Sequence, residues 1–114
     1  MKVLNFEDSI YKANAIRKVL NQCGVTKIEL VSNVEDGLQM LKNAEDTGEP
    51  FDLIITDMHY PMKQGAVSDT EAGEKLVQLL QEQGKQTKVI VCSSRNMKLP
   101  GVYGCIWYSE ISDW

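Results

Sequence analysis

The sequence carries three cysteines, Cys23, Cys92 and Cys105, an odd number with no C-x-x-C spacing. That pattern offers no disulfide framework and no zinc or thiol-redox motif. Reduced thiols packed as small apolar residues are the expected state, with Cys92 and Cys105 lying in apolar runs. No apolar stretch approaches the roughly 20 residues of a membrane span. The N-terminal "MKVLNFEDS" meets acids too early to be a signal peptide, so a cytoplasmic location is expected. Excess positive charge is missing too: the formal net charge is −4, which argues against direct nucleic-acid binding. Repeats, linkers and low-complexity segments are not apparent. A chain of 114 residues can build one core without covalent staples, so residues 1–114 read as a single domain.

What is present is an alternation of two periodicities. "KVLNF", "KIELVS", "FDLIITD", "TKVIVCSS" and "GCIWY" read as strands. Between them, Ala13, Ile16, Val19, Leu20 and Cys23 recur at helical spacing, with Asp8 or Ser9 as cap and Gly24 as stop. Val34, Leu38 and Leu41 mark a second helix over residues 33 to about 45, and Leu76, Leu79 and Leu80 a third. Strands alternating with helices predict a parallel α/β sheet. Runs such as "LII" and "VIVC" lack polar alternation because both faces of such a sheet are covered.

In open α/β sheets, chemistry gathers outside the carboxyl ends of the strands. The first strand delivers Glu7 and Asp8 there, the third Asp57, the fourth Ser93 and Ser94. Acids at a helix start serve as caps, and a lone aspartate after a strand serves as a turn residue. Three carboxylates from separate segments are another matter, because they repel one another until a cation neutralises them. Oxygen ligands in small number suit Mg²⁺. An aspartate beside such an ion can act as a nucleophile toward phosphorus.

These residues resemble a response-regulator receiver domain. "MKVLNFEDS" is similar to the receiver's first strand with its acidic pair, "FDLIITDMHYP" to the third strand with its phospho-accepting aspartate and following proline, and "VIVCSS" to the fourth strand with its switch hydroxyl. The resemblance implies a flavodoxin-like, doubly wound five-stranded parallel sheet of order 2-1-3-4-5. It implies Asp57 as phosphoacceptor and Ser93 as the hydroxyl that contacts the phosphoryl group. Mg²⁺ would be held by Glu7, Asp8, Asp57 and the backbone carbonyl of His59, whose imidazole reads as a solvated loop group. The implied donor is a histidine kinase or phosphotransfer protein, and the implied role is phosphorelay signalling. No enzymatic turnover is expected beyond self-phosphorylation and self-dephosphorylation.

The sequence departs from the receiver pattern at several points. Tyr108 and Ser109 fall where receivers carry a lysine and a proline, so the phosphoryl group loses a cation. Cys105 stands near the aromatic switch position. Gly73, rather than Gly65, aligns with the family glycine, which places an insertion of about eight residues beside the site. The segment "SRNMKLPGVY" and the terminal "SEISDW" predict a fourth and fifth helix that are shortened or missing. Ile106, Trp107, Ile111 and Trp114 then predict a C-terminal edge covered by a second copy or a partner. Asn5, polar within a buried strand, needs a partner that the sequence does not name. Two rival readings follow: a degenerate receiver that binds partners without phosphorylation, and an aspartate-nucleophile phosphatase. The phosphatase pattern would want an acid where His59 stands.

Overall fold

Leu4 and Phe6 turn to one face of the first strand and Val3 to the other, and all three are fully buried. That is the pattern of a parallel-sheet strand covered on both sides. The computed structural model describes residues 1–85, 87–93 and 102–107. Its elements are β1 (Lys2–Phe6), α1 (Ile10–Gln22), β2 (Lys27–Val31), α2 (Val34–Asp46), β3 (Leu53–Thr56), β4 (Tyr60–Pro61), β5 (Ser68–Asp69), α3 (Ala72–Glu82), β6 (Lys88–Ser93) and β7 (Gly104–Trp107).

Five strands form one parallel sheet in the order β2-β1-β3-β6-β7. β6 and β7 are the fourth and fifth strands expected from the sequence, so the order 2-1-3-4-5 holds. α2 and α3 pack on the face carrying Leu4, Phe6 and Ile54, while α1 packs on the face carrying Val3, Ile55 and Cys92. Three helices occur among the described residues, in keeping with a shortened C-terminal part. None of them is long and apolar enough to cross a membrane.

Local chemistry explains where the helices begin and end. Ser9 caps α1, with its hydroxyl accepting from the Lys12 backbone N–H, and Gly24 follows the helix at φ +86°. Asn33 caps α2 by accepting from the Asp36 N–H at 2.8 Å, and Glu35 and Asp36 lie in the first turn, where the helix dipole favours acids.

The insertion after Pro61 folds back to pair β5 with β4 in a two-stranded antiparallel hairpin, turning through Gly65 at φ +82°. It is anchored at three points. Tyr60 is fully buried, with its ring centroid 5.9 Å from that of Phe6. The Met62 carbonyl accepts from the Glu35 N–H at 2.9 Å. Lys75 on α3 pairs with Asp69 at 2.6 Å.

The cysteine expectation needs correction. All three thiols are free, but only Cys92 is buried; Cys23 and Cys105 are exposed. Cys23 closes α1 as its C-cap rather than extending the apolar stripe. Cys105 belongs to β7, which has a single neighbour among the described strands. Residues 94–101 and 108–114 lie outside the described part, and with them Tyr108, Ser109, Ile111 and Trp114. The proposed covered edge and the register of Tyr108 belong there.

Candidate functional site

At the carboxyl edge of the sheet, β1 runs directly into Glu7 and β3 directly into Asp57. The backbone ties the two ends together, since the Asp57 N–H donates to the Phe6 carbonyl at 3.1 Å and the Glu7 N–H to the Val31 carbonyl at 2.9 Å. Glu7, Asp8 and Asp57 thereby each place a carboxylate oxygen within 4.8 Å of the others. They line a hollow of about 420 Å³ together with Ser9, Tyr11, Lys12, His59 and Ser68. A larger hollow of about 570 Å³ lies along α2 by Leu38 and Lys42, but it gathers no comparable set of ligand groups.

The three acids differ in environment. Asp8 is exposed and Asp57 half-buried, whereas the Glu7 side chain is 1% exposed. Glu7 Oε2 accepts from the Ser9 N–H at 3.1 Å. Among the described residues Glu7 Oε1 has no hydrogen-bond partner of full geometry, although Lys12 Nζ stands 3.2 Å away. That single contact leaves further acceptor capacity on the oxygen. Burial pushes the Glu7 pKa up, more than the Lys12 ammonium pulls it down. A buried carboxylate oxygen with further acceptor capacity, beside two further carboxylates, fits a hard cation.

Sequence patterning missed one residue here. Lys12, on α1, is buried and reaches into the acid cluster. Its Nζ lies 3.0 Å from Asp57 Oδ1 and 3.2 Å from Glu7 Oε1, and donates to the Cys92 carbonyl at 2.5 Å. Burial works against the ammonium charge, but Asp57 and then Glu7 more than restore it, so the Lys12 pKa lies above its ordinary value. A sequence signal did exist. Lys12 stands one turn before Ile16, on the apolar stripe, and in a first turn where the dipole disfavours a cation. A lysine in that position is misplaced unless anions receive it.

Around Asp57 the fold leaves little slack. Thr56 Oγ1 donates to the Asp57 carbonyl at 2.7 Å and so accepts from the Tyr60 hydroxyl, also at 2.7 Å. Burial raises the Tyr60 pKa well above the usual phenol value and keeps it a donor. Gly73, in the first turn of α3, packs against the same peptide. A Cβ there would fall inside the contact distance of the Asp57 carbonyl oxygen, which is why the chain has glycine at this place. Burial pushes the Cys92 thiol up to about 12, so it is an inert packing group rather than a nucleophile. Ser93 ends β6 beside Trp107 of β7; its hydroxyl lies outside the described part.

No protein-family model and no curated protein sequence matches this chain. Solved structures do. A two-component response regulator from Legionella pneumophila superposes with a TM-score of 0.68 at 16% identity, over 95% of this chain and 86% of that one. The N-terminal domain of a response regulator/sensory box/GGDEF three-domain protein from Carboxydothermus hydrogenoformans gives 0.66 at 22%, over 93% and 80%. The chain has the receiver-domain fold. A third neighbour with that fold is the receiver domain of a histidine kinase from Arabidopsis thaliana, complexed with Mg²⁺ and BeF₃⁻, at a TM-score of 0.60 and 20% identity, over 85% and 68%.

Proposed function

We propose that this chain is a phosphorelay receiver that takes a phosphoryl group onto Asp57. The observation that carries the reading is the meeting of Glu7, Asp8 and Asp57 at the carboxyl edge of the sheet, within 4.8 Å of one another, on a receiver fold. Asp8 and Asp57, with Glu7 behind them and the backbone carbonyl of His59, are the groups that would hold Mg²⁺. When bound, the ion supplies charge stabilisation for the phosphoryl oxygens.

The chain's own residues do the rest. A carboxylate oxygen of Asp57 bonds to phosphorus as the bond from phosphorus to the donor atom breaks, and the electron pair leaves with the donor. Asp57 is half-buried, so it stays open to a donor while its backbone is fixed by Thr56 and Gly73. Ser93, at the end of β6, is the hydroxyl proposed to donate to a phosphoryl oxygen. The proposed donor is a phosphohistidine on a partner histidine kinase or phosphotransfer protein, in the cytoplasm. Turnover of external substrates is not part of the role.

Acetyl phosphate with Mg²⁺ should add one phosphoryl group by intact mass. The addition should vanish in Asp57→Asn and in excess chelator. A modification that persists in Asp57→Asn would remove Asp57 from the role.

One observation favours a second reading, a receiver that binds partners without phosphorylation. Lys12 already pairs with Glu7 and Asp57, which gives the acid cluster a built-in counter-ion. Wild-type protein that stays unmodified by acetyl phosphate and Mg²⁺ selects this reading.

A further inference from the structure

We propose that Lys12 is the cation that meets the group transferred to Asp57, delivered from α1, and that the same ammonium opposes entry of the divalent ion. The inference deepens the phosphoryl-acceptor reading and rests on it.

The ammonium is held by several elements at once. Oxygens from three separate segments hold it: Glu7 after β1, Asp57 after β3 and Cys92 within β6. A buried ammonium is stable only when charge and hydrogen bonds compensate its lost water, and this geometry supplies both. The position is therefore fixed by the sheet edge rather than by the flexible stem of an exposed lysine.

That fixed position has a chemical consequence. Nζ is 3.0 Å from Asp57 Oδ1, so any group bonded to this carboxylate is built against the ammonium. Transfer from acetyl phosphate forms the bond from the Asp57 oxygen to phosphorus, breaks the bond from phosphorus to the acetyl oxygen, and releases acetate with the electron pair. A carboxylate of charge −1 becomes an acyl phosphate of charge −2. The added negative charge appears beside Lys12, which is pre-placed and needs no reorganisation to meet it. Toward Mg²⁺ the sign reverses. The ammonium sits 3.2 Å from the Glu7 oxygen that would otherwise support the ion, and like charges repel most strongly where water is excluded.

A purely structural lysine would let metal affinity and phosphoryl transfer fall together on its removal. The proposal requires them to move in opposite directions. In Lys12→Met, phosphorylation by acetyl phosphate at saturating Mg²⁺ should slow by roughly 100-fold, the usual loss for one pre-placed donor. Mg²⁺ affinity, read without phosphodonor from amide NMR shifts of residues 7–12, should rise by about tenfold for the loss of one neighbouring like charge. Lys12→Arg should recover part of the rate.

Wild-type rates in Lys12→Met, or a metal affinity that falls with the rate, would overturn the proposal. If wild type takes no phosphoryl group, the receiver reading fails first, while the metal titration still judges the electrostatic half. Should Lys12→Met not fold by far-UV circular dichroism, the wild type provides the decision. Beryllofluoride with Mg²⁺, binding a carboxylate as a phosphoryl mimic, should shift the Lys12 ¹³Cε resonance, and an unmoved resonance overturns the assignment. A Lys12-independent rate that Tyr108→Lys accelerates would place the cation at position 108 instead.

Discussion

Asn5 is 2% exposed within β1, and its Oδ1 has no donor among the described residues. It stands beside a small cavity of about 140 Å³ under Ile10 and Ala13 of α1. Leaving a buried acceptor unpaired costs about 1–3 kcal/mol. Valine is of similar size and suits a buried parallel strand. Asn5→Val should therefore stabilise the domain by about 1 kcal/mol, raising Tm by about 4 °C. A lower Tm in a scanning calorimeter would mean that the amide has a role that packing does not explain. Lys12 makes the contrasting case at this scale. Its polarity is equally out of place on an apolar stripe, yet its charge is fully answered by Glu7 and Asp57.

At the scale of elements, the approach of α3 to the loop after β3 decides how Asp57 is presented. Gly73 allows the helix to touch the Asp57 carbonyl, and its N–H donates to the Met58 carbonyl at 3.2 Å. In an exposed helix interior, alanine would gain about 0.5–1 kcal/mol over glycine. Here the methyl meets backbone that cannot yield, and overpacking of this kind costs about 1–3 kcal/mol, so the clash wins. Gly73→Ala should lower stability, and it should slow phosphoryl acceptance more than Gly48→Ala, whose site lies clear of Asp57. Urea titration and intact mass read the two effects separately. The hairpin of β4 and β5 belongs to the same apparatus, since Tyr60 enters the core and its hydroxyl donates to Thr56, which in turn holds the Asp57 carbonyl.

Over the whole molecule, the parallel sheet gathers its charge problem at one edge. Three carboxylates face one buried ammonium there, and the excess negative charge opposes folding until a cation arrives. The proposed Mg²⁺ would bind only the folded arrangement, because Asp57 lies far along the chain from Glu7 and Asp8. At about ten times its Kd it should stabilise the domain by about 1.4 kcal/mol, a rise in Tm of about 6 °C. Sodium chloride at matched ionic strength should give a smaller shift. Asp8→Ala should abolish the Mg²⁺-specific part, and a full shift retained in that variant would place the ion elsewhere.

The strands and the acid cluster were both legible in the sequence for a local reason, whereas the strand order came from the resemblance to receivers. A buried strand must be continuously apolar, so "LIIT" announces itself. The residue that ends it, Asp57, is then placed at the carboxyl edge by topology alone. The same reasoning placed Glu7 and Asp8, and the three do meet. The fate of the insertion was not legible, because its hairpin is held by Phe6 and Glu35, far back in the chain, and by Lys75 on the following helix. Cys105 was misread because hydrophobic neighbours in sequence do not reveal that β7 has a neighbour on one side only among the described strands. Above all, only the tertiary structure supplied Lys12. In sequence it is a lysine in the first turn of an amphipathic helix, four residues from Asp8. Its partners Asp57 and Cys92 lie 45 and 80 residues away. The sequence by itself determined which elements form and which acids share an edge, since backbone periodicity and topology dictate both. Which cation answers those acids is a matter of distance in space, and that was decided only when α1 packed across the sheet.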